Sequence, residues 1–484
     1  MILKELVPFY SGPHAEAEVT GITADSRRVQ PGFVFAAMQG VVADGRKFIP
    51  GAIENGAIAV LGEDLPEISP ETGSAARVEV ANARLALAQA SANFYPVQPE
   101  QTVAITGTNG KSSTVDFLRQ IWQAAGLKSA SMGTLGAIGP NGHIDLGHTT
   151  PDPVAIHATL QTLAQDGVTH AAMEASSHGL AQYRLDAVTL SAVAFTNLTQ
   201  DHLDYHNTMD EYRTAKLRLF SDLAPKGCPA VVNADSDQRL FFEQTAQEAG
   251  LDLVSVGWRG TDLKIEELMP KATGQRLFLD WRGEKAAIDL PLIGEFQALN
   301  ALTAAGLALA GGLDLQAVAT GMSKLQPVKG RLEYIGETGE GAGVFVDYAH
   351  TPAGLDVLIR AARPHTAGRL VVVFGCGGDR DRGKRPLMGE IAAKHADHVI
   401  VTDDNPRSED PASIRADVLA GVPNGIEIGD RGQAIHDAVK DLRKGDTLLI
   451  AGKGHETGQI IGDKVVPFSD QETAHDALKE AANA

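Results

Sequence analysis

A strand that runs into a glycine turn and then opens a helix constrains this chain more than any other segment. Thr102–Thr106 is a β-type run, Gly107-Thr-Asn-Gly110 is a tight turn, and Lys111-Ser-Ser113 begins a helical pattern. That order builds a phosphate cradle. Backbone N–H groups of the turn face an anion, the helix N-terminus adds a favourable dipole, Lys111 reaches the terminal phosphates and Ser112 can ligate Mg2+. The spacing departs from the common phosphate loop: where that pattern has glycine, this chain has Ile105. A shortened loop of this kind points to a subset of nucleotide enzymes, with Gly107, Thr108, Asn109, Gly110, Lys111, Ser112 and Ser113 as the contacts.

The rest of the chain repeats the same grammar. Residues 1–97 mix short strand-like runs (Gly32–Ala37, Ala57–Leu61) with Pro/Gly turns, and Tyr95-Pro-Val-Gln-Pro-Glu-Gln101 reads as a linker. Residues 98–329 alternate apolar strands, at 102–106, 169–174, 192–196 and 229–233, with helical patterns. This predicts a mostly parallel sheet with helices on both faces. From about 260 to 292, polar and apolar residues alternate as in antiparallel strands, and an Ala/Leu-rich helix, Ala298–Ala310, ends at Gly311-Gly312. Residues 330–484 form a further α/β unit with strands Gly343–Tyr348, Leu370–Phe374, His398–Thr402 and Thr447–Ala451. The expected fold class is α/β, in three domains: 1–97, 98–329 and 330–484. In open α/β sheets ligands sit beyond the carboxyl ends of strands, and the candidate chemistry falls there repeatedly.

Composition bounds the partners. A net charge of −19 argues against nucleic acid or anionic membrane surfaces, so a phosphate ligand must be met by backbone amides and local cations. The two cysteines, Cys228 and Cys376, lack metal-type spacing and suit a reducing compartment. The start Met1-Ile-Leu-Lys-Glu-Leu carries no signal-peptide pattern, and no apolar run approaches the roughly 20 residues of a membrane span. The expectation is a cytoplasmic protein without membrane insertion, and a monomer.

Strand 169–174 ends in Glu174-Ala-Ser-Ser-His178, a carboxylate placed to serve the nucleotide's Mg2+, which takes hard oxygen ligands. Strand 192–196 leads into Asp201-His-Leu-Asp-Tyr-His206, two Asp and two His in one short loop. Downstream, Tyr212, Ala215, Leu219 and Phe220 make a helical apolar face. Periodicity alone reads Lys216, beside it, as an exposed lysine.

Together, Thr106-Gly-Thr-Asn-Gly-Lys-Ser112, the Glu174/Ser176-Ser-His178 run, Asp201–His206 and the helix with Lys216 resemble the Mur ligase family. The family comprises ATP-dependent amide-bond synthetases of peptidoglycan precursor assembly. The resemblance implies a small N-terminal α/β uridine-binding domain, a central P-loop-type ATPase domain and a C-terminal Rossmann-like α/β domain. It implies Mg2+ and ATP, with Lys111, Glu174, His202 and Lys216 as catalytic residues. It also implies Lys216 as a carbamylated lysine, an ammonium converted into an anionic oxygen ligand. Ser112, Glu174, His202 and modified Lys216 are then the metal ligands. Gly330-Arg-Leu-Glu333 and Asp347-Tyr-Ala-His-Thr-Pro352 resemble nucleotide-clamping segments, which brings Arg331, Asp347 and His350 to ATP. Gly294-Glu-Phe-Gln-Ala-Leu-Asn300 resembles an adenine-contacting segment with Asn300 retained, and Gln297 stands where the family usually has Asn.

The resemblance extends to the small-molecule substrates. Ala24-Asp-Ser-Arg27, Pro31-Gly32 and Gly40–Gly45 resemble a uridine-diphosphate site, with Ala24, Ser26 and the backbone of Val41, Val42 and Ala43 as contacts. Thr149, Thr150, Ser176, Gln182 and Arg184 are implied for the muramoyl dipeptide. Asp404-Asn-Pro-Arg407 is similar to the motif of members that add meso-diaminopimelate. A planar guanidinium grips the distal carboxylate of that amino acid bidentately, and an acidic group takes its distal ammonium. Arg380, Asp404, Asn405, Pro406, Arg407, Gly452 and Glu456 are the implied contacts, and Arg382 stands where lysine is common.

Three other readings remain. A lysine-adding member would leave Arg407 without its partner carboxylate. A folylpolyglutamate synthetase shares the short loop but lacks a region like 1–97. A nucleotide-dependent switch would not need the second metal site that Glu174, His202 and Lys216 imply.

Overall fold

The computed structural model describes residues 1–40, 44–67 and 74–482. They fall into two compact units, Met1–Leu263 with Thr303–Asp314, and Lys264–Leu302 with Leu315–Ala484.

The first unit opens with a four-stranded parallel sheet, β1 (Gly21–Thr23), β2 (Phe33–Ala37), β3 (Ala59–Gly62) and β4 (Ala76–Glu79), in that order. Helix Ala83–Phe94 covers it, capped by the Asn82 side chain on the Leu85 amide, with Leu87 and Ala90 in the same core as Val34 and Leu61. The segment expected as a linker is tied down: Gln98 exchanges two hydrogen bonds with the backbone of Thr189, at 2.7 and 3.1 Å.

The large sheet of this unit contains β5 (Gln101–Thr106), β6 (Ser129–Gly133), β7 (Gly136–Gly139), β8 (Gly142–Ile144), β9 (His170–Glu174), β10 (Ala192–Phe195), β11 (Pro229–Asn233) and β12 (Asp252–Gly257). Its order is β12-β11-β10-β5-β9-β6-β7-β8, parallel except for the β6-β7-β8 meander. β5 is central and buried from Thr102 onward, the apolar run of a strand covered on both faces. Register sets the chemistry. Ile105 pairs with Glu174 on one side, and Thr106 with Phe195 on the other. Three strand ends therefore deliver the phosphate loop, Glu174 and the segment after Phe195 to one edge.

The second unit begins with β13 (Leu263–Lys271) and an antiparallel hairpin, β14 (Gly274–Trp281) and β15 (Glu284–Leu290), turning at Arg282 (φ +51°) and Gly283 (φ +97°). Helix Glu295–Ala310 starts one turn earlier than the sequence suggested. The polar residues Glu295 and Gln297 had masked a start set by Gly294, at φ +86°.

Its main sheet runs β16-β17-β21-β18-β19-β20, made from β16 (Glu333–Glu337), β17 (Gly343–Asp347), β18 (Leu370–Phe374), β19 (His398–Val401), β20 (Ile426–Glu427) and β21 (Thr447–Ala451). All pairs are parallel except β16 with β17. Alternation along β18 sorts the core. Val372 and Phe374 face a cluster with Leu355 and Met388, while Val371 and Val373 face one with Ile435 and Ala474. A last hairpin, β22 (Gly458–Ile461) with β23 (Lys464–Pro467), stands outside this sheet. Among the described residues, no helix is long and apolar enough to cross a membrane.

Candidate active site

In the first unit the loop after β5 needs its glycines. Gly107 sits at φ +152°, and a Cβ there would come within 1.9 Å of Thr196 Oγ1. Gly110, at φ +84°, is the N-cap of helix Lys111–Ala124. The segment after β10 braces the loop. Thr108 N donates to Asn197 O (2.8 Å), Asn109 N to Asn197 Oδ1 (3.0 Å) and Thr196 Oγ1 to Asn109 O (2.6 Å). Lys111 folds back to donate to Gly107 O (2.9 Å) and Thr108 O (2.8 Å).

Ser112 and Glu174 meet directly: Ser112 Oγ donates to Glu174 Oε1 at 2.8 Å, and the Thr134 amide donates to the same oxygen at 2.8 Å. Glu174 is 2% exposed. Close approach explains Gly133, where a Cβ would lie 2.1 Å from Glu174 Oε1. Two hard oxygen donors at a helix start next to a phosphate cradle form a donor set suited to Mg2+.

Lys216 is not the exposed lysine that periodicity suggested. It is 1% exposed, donates to Gly107 O at 2.8 Å and lies 4.6 Å from the centre of the Tyr212 ring. Burial first, and then the charge of Lys111, push its ammonium well below the ordinary lysine range; Asp201 pulls weakly the other way. Sequence periodicity failed because helix Met209–Arg218 packs this flank against the phosphate loop rather than against water.

His202, at φ +52°, places its ring 4.9 Å from His178, which also contacts Tyr205 (4.1 Å) and His206 (5.5 Å). Among the described residues no three His, Cys, Asp or Glu side chains already stand together as a metal cluster. Glu174 ends β9, His202 lies in the segment after β10 and Lys216 reaches the loop carbonyl of Gly107, so all three belong to one strand-end region.

The residues expected at the dipeptide do gather. Thr134 Oγ1 lies 3.0 Å from Thr149 Oγ1, and Thr150 Oγ1 donates to Glu174 O (2.9 Å) while accepting from Ser176 N (3.0 Å). Arg184 bonds to Thr150 O and to Gln182 Oε1, and Gln182 reaches Tyr205 OH at 3.0 Å. In the N-terminal sheet Ala24 and Ser26 flank Asp25, whose carboxylate caps the turn Ser26–Arg28. Val41, Val42 and Ala43 lie outside the described residues.

The second unit carries two more groups. Asp347, at the end of β17, accepts from Leu332 N and Ala349 N, both at 2.7 Å. Burial pushes its carboxyl up from the ordinary value, and Arg331 opposes that shift. Arg331 lies 5.0 Å from the Tyr348 ring centre, and His350 packs on the same ring at 4.6 Å. Gln297, at the position where the sequence departs from the expected Asn, donates to Arg331 O (2.9 Å) and accepts from Asn300 (3.2 Å). It ties the start of helix Glu295–Ala310 to the backbone of Arg331.

Beyond β19 and β21, Asn405 donates to Glu456 Oε2 at 2.9 Å, and Arg407 donates to Gly378 O at 2.8 Å. Gly452, at φ +120°, leaves room for Asp404, whose Oδ2 would lie 2.6 Å from a Cβ there. Arg380 stays near the surface, bonded to Asp379 O (3.1 Å), and Pro406 carries the chain between Asn405 and Arg407. Two cations here had no role in the sequence reading. Lys453, fully buried, bonds to Asn405 Oδ1 (3.2 Å) and Glu456 Oε2 (3.1 Å). Arg431 is buried against Asp470 at 2.7 Å and also reaches Ala451 O. A lysine inside Gly452-Lys-Gly-His-Glu456, between an Asn and a Glu of the same set, was the available signal.

Residues 18–95 match the Mur ligase family catalytic domain, 105–308 the Mur ligase middle domain and 330–454 the Mur ligase glutamate ligase domain. The chain is 49% identical over 480 residues to the UDP-N-acetylmuramoyl-L-alanyl-D-glutamate–2,6-diaminopimelate ligase of Mesorhizobium japonicum, covering 99% of both chains. It is 50% identical to the enzyme of the same name from Bradyrhizobium diazoefficiens, covering 96% of each. A solved ligase of that name superposes with a TM-score of 0.78 at 33% identity over 99% of both chains. A folylpolyglutamate synthase of Mycobacterium tuberculosis, solved with ADP, shares the fold over 75% of this chain and 91% of its own, with a TM-score of 0.61 and 20% identity.

Proposed function

The chain belongs to the Mur ligase family, and from that premise we propose that it joins meso-diaminopimelate to UDP-N-acetylmuramoyl-L-alanyl-D-glutamate at the expense of ATP. The reaction forms an amide bond and releases ADP and phosphate, a cytoplasmic step of peptidoglycan precursor synthesis. Residues 1–97 bind the uridine diphosphate, 98–329 bind ATP and carry the chemistry, and 330–484 bind the incoming amino acid.

A carboxylate does not acylate an amine unaided, because its oxygen is a poor leaving group. In the first step a γ-carboxylate oxygen of the D-glutamyl residue attacks the γ-phosphorus of ATP and ADP leaves. In the second, the amine nitrogen attacks the acyl carbon, loses a proton, and phosphate leaves from the tetrahedral intermediate. Loop amides of Thr108 to Gly110 and the Lys111 ammonium offset charge on the transferring phosphoryl group. Arg331, Asp347, His350 and Asn300 hold the nucleotide. Thr149, Thr150, Ser176, Gln182 and Arg184 orient the acceptor carboxylate.

Ser112 and Glu174 would hold Mg2+, which supplies charge neutralisation at the phosphates. Lys216 fits the carbamate reading because CO2 adds only to a neutral amine, and burial drives this amine toward neutrality. A carbamate at Lys216 would supply oxygen ligands that, with His202, would hold a second Mg2+.

The observation that carries the choice of amino acid is the loop Asp404–Arg407. It joins a guanidinium at Arg407 to an amide at Asn405 that contacts Glu456, matching the carboxylate and ammonium of a distal amino-acid head. Hydroxylamine trapping tests the chemistry. With ATP and the nucleotide dipeptide but no amine, the enzyme should yield a D-glutamyl hydroxamate and ADP; ADP release with no trapped hydroxamate would contradict the acyl-phosphate route.

A further inference from the structure

We infer that Lys453 is a positioning residue that fixes the side-chain amide of Asn405 in one orientation, so that the amino-acid site presents an N–H donor, not a carbonyl, to its ligand. The inference rests on the reading of Asp404–Arg407 as the diaminopimelate site.

Asn405 Oδ1 accepts from two groups that can only donate: the Lys453 ammonium at 3.2 Å and the backbone N–H of Ile460 at 2.9 Å. A flipped amide would set its NH2 against both donors, so the flip is closed off. Nδ2 spends one hydrogen on Glu456 Oε2 at 2.9 Å, and its second hydrogen is the one a ligand can meet. Lys453 is 0% exposed and Asn405 5% exposed, so water does not substitute for either bond.

The same contacts divide the labour of the site. An N–H donor beside the Arg407 guanidinium reads a carboxylate, while Glu456, held at one oxygen by Lys453 and Asn405, keeps its other oxygen to accept from an ammonium. Strand β22 completes the template: Gln459 Nε2 donates to Asp404 O at 2.6 Å, and Arg407 N donates to Ile460 O at 3.0 Å. Arg407 itself adopts φ +53°, a conformation these backbone bonds hold.

The test compares Lys453→Met and Asn405→Asp with wild type, using purified full-length enzyme, steady-state ADP release and meso-diaminopimelate or L-lysine as acceptor. Lys453→Met should raise the KM for diaminopimelate roughly tenfold or more, the loss of a bond to a charged group. Its kcat and its KM for ATP should move far less. The preference for diaminopimelate over lysine should shrink by a similar factor. Asn405→Asp is isosteric and keeps Lys453 paired. It should melt somewhat below wild type, because an aspartate oxygen then faces Glu456 Oε2 where an N–H donated, yet stay folded and lose the same preference, and it decides the matter if Lys453→Met does not fold. Unchanged diaminopimelate KM and unchanged preference in either folded variant would overturn the inference. Wild-type enzyme that ignores diaminopimelate would instead overturn the functional reading on which it rests.

Discussion

Lys111 and Lys216 donate to one and the same carbonyl, that of Gly107, at 2.9 and 2.8 Å. Burial first, and then repulsion from the Lys111 ammonium on the same oxygen, make Lys216 hold its proton less tightly than a lysine ordinarily does. The phosphate loop thus favours the neutral amine that CO2 requires, and the conversion to carbamate would replace a repulsion with an attraction to Lys111.

The proposed carbamate at Lys216 predicts a rate that depends on CO2. Enzyme assayed in degassed, bicarbonate-free buffer should lose activity and regain it on adding bicarbonate. A carbamate carbon should appear by NMR with 13C-bicarbonate and be absent from Lys216→Ala. That variant should retain less than about 1% of kcat, the scale of losing a key electrostatic group.

The contact between Ser112 and Glu174 predicts a metal phenotype. Ser112→Ala removes one oxygen donor and should raise the Mg2+ concentration for half-maximal rate by about 10- to 100-fold. Glu174→Gln should do more, because it replaces a buried carboxylate that accepts from both Ser112 and Thr134 with a neutral amide. Titrating Mg2+ at fixed ATP measures both.

Acid sensitivity should trace in part to His157, in helix Pro153–Gln165. Burial lowers its pKa from 6.5 to about 4, and its Nε2 has no hydrogen-bond partner. The unfolded chain therefore binds the extra proton between those values, so stability is full above pH 6.5 and falls as pH drops toward 4. The loss is at most about 3 kcal/mol. Urea midpoints at pH 7 and pH 4.5 should differ less in His157→Leu than in wild type.

The buried pair Arg431–Asp470, at 2.7 Å, anchors the ends of two strands, since Arg431 also bonds to Ala451 O (3.0 Å) and Asp403 O (3.4 Å). Asp470→Asn strands a buried cation and should cost about 3 to 5 kcal/mol. Calorimetry should show a lowered transition, and the KM for the amino acid should rise because both strand ends lead into the site proposed for it.

The sequence made parallel strands legible where burial on both faces forces continuous apolar runs, as at Gln101–Thr106 and Leu370–Phe374. It missed Ser129–Gly133, buried throughout but built from Ser, Ala, Met and Gly, residues that carry no strand signal of their own. Gly107 and Gly110 were readable because positive φ leaves glycine as the natural choice. The burial of Lys216 and Lys453 was not, because a lysine's surroundings are set by tertiary contacts: the loop at Gly107 in one case, Asn405 and Glu456 in the other. Gln297 shows a third case, a departure from the expected residue whose longer side chain still reaches a backbone partner, Arg331 O.

Side-by-side ADP release identifies the acceptor amine. Purified enzyme, supplied with ATP, Mg2+, bicarbonate and UDP-N-acetylmuramoyl-L-alanyl-D-glutamate, is given meso-diaminopimelate, L-lysine or L-glutamate in turn. ADP release should be rapid with diaminopimelate, at least about 100-fold lower in kcat/KM with lysine, as expected when Arg407 and Asn405 are left without a carboxylate, and absent with glutamate. Equal or faster turnover with lysine or glutamate would contradict diaminopimelate as the acceptor.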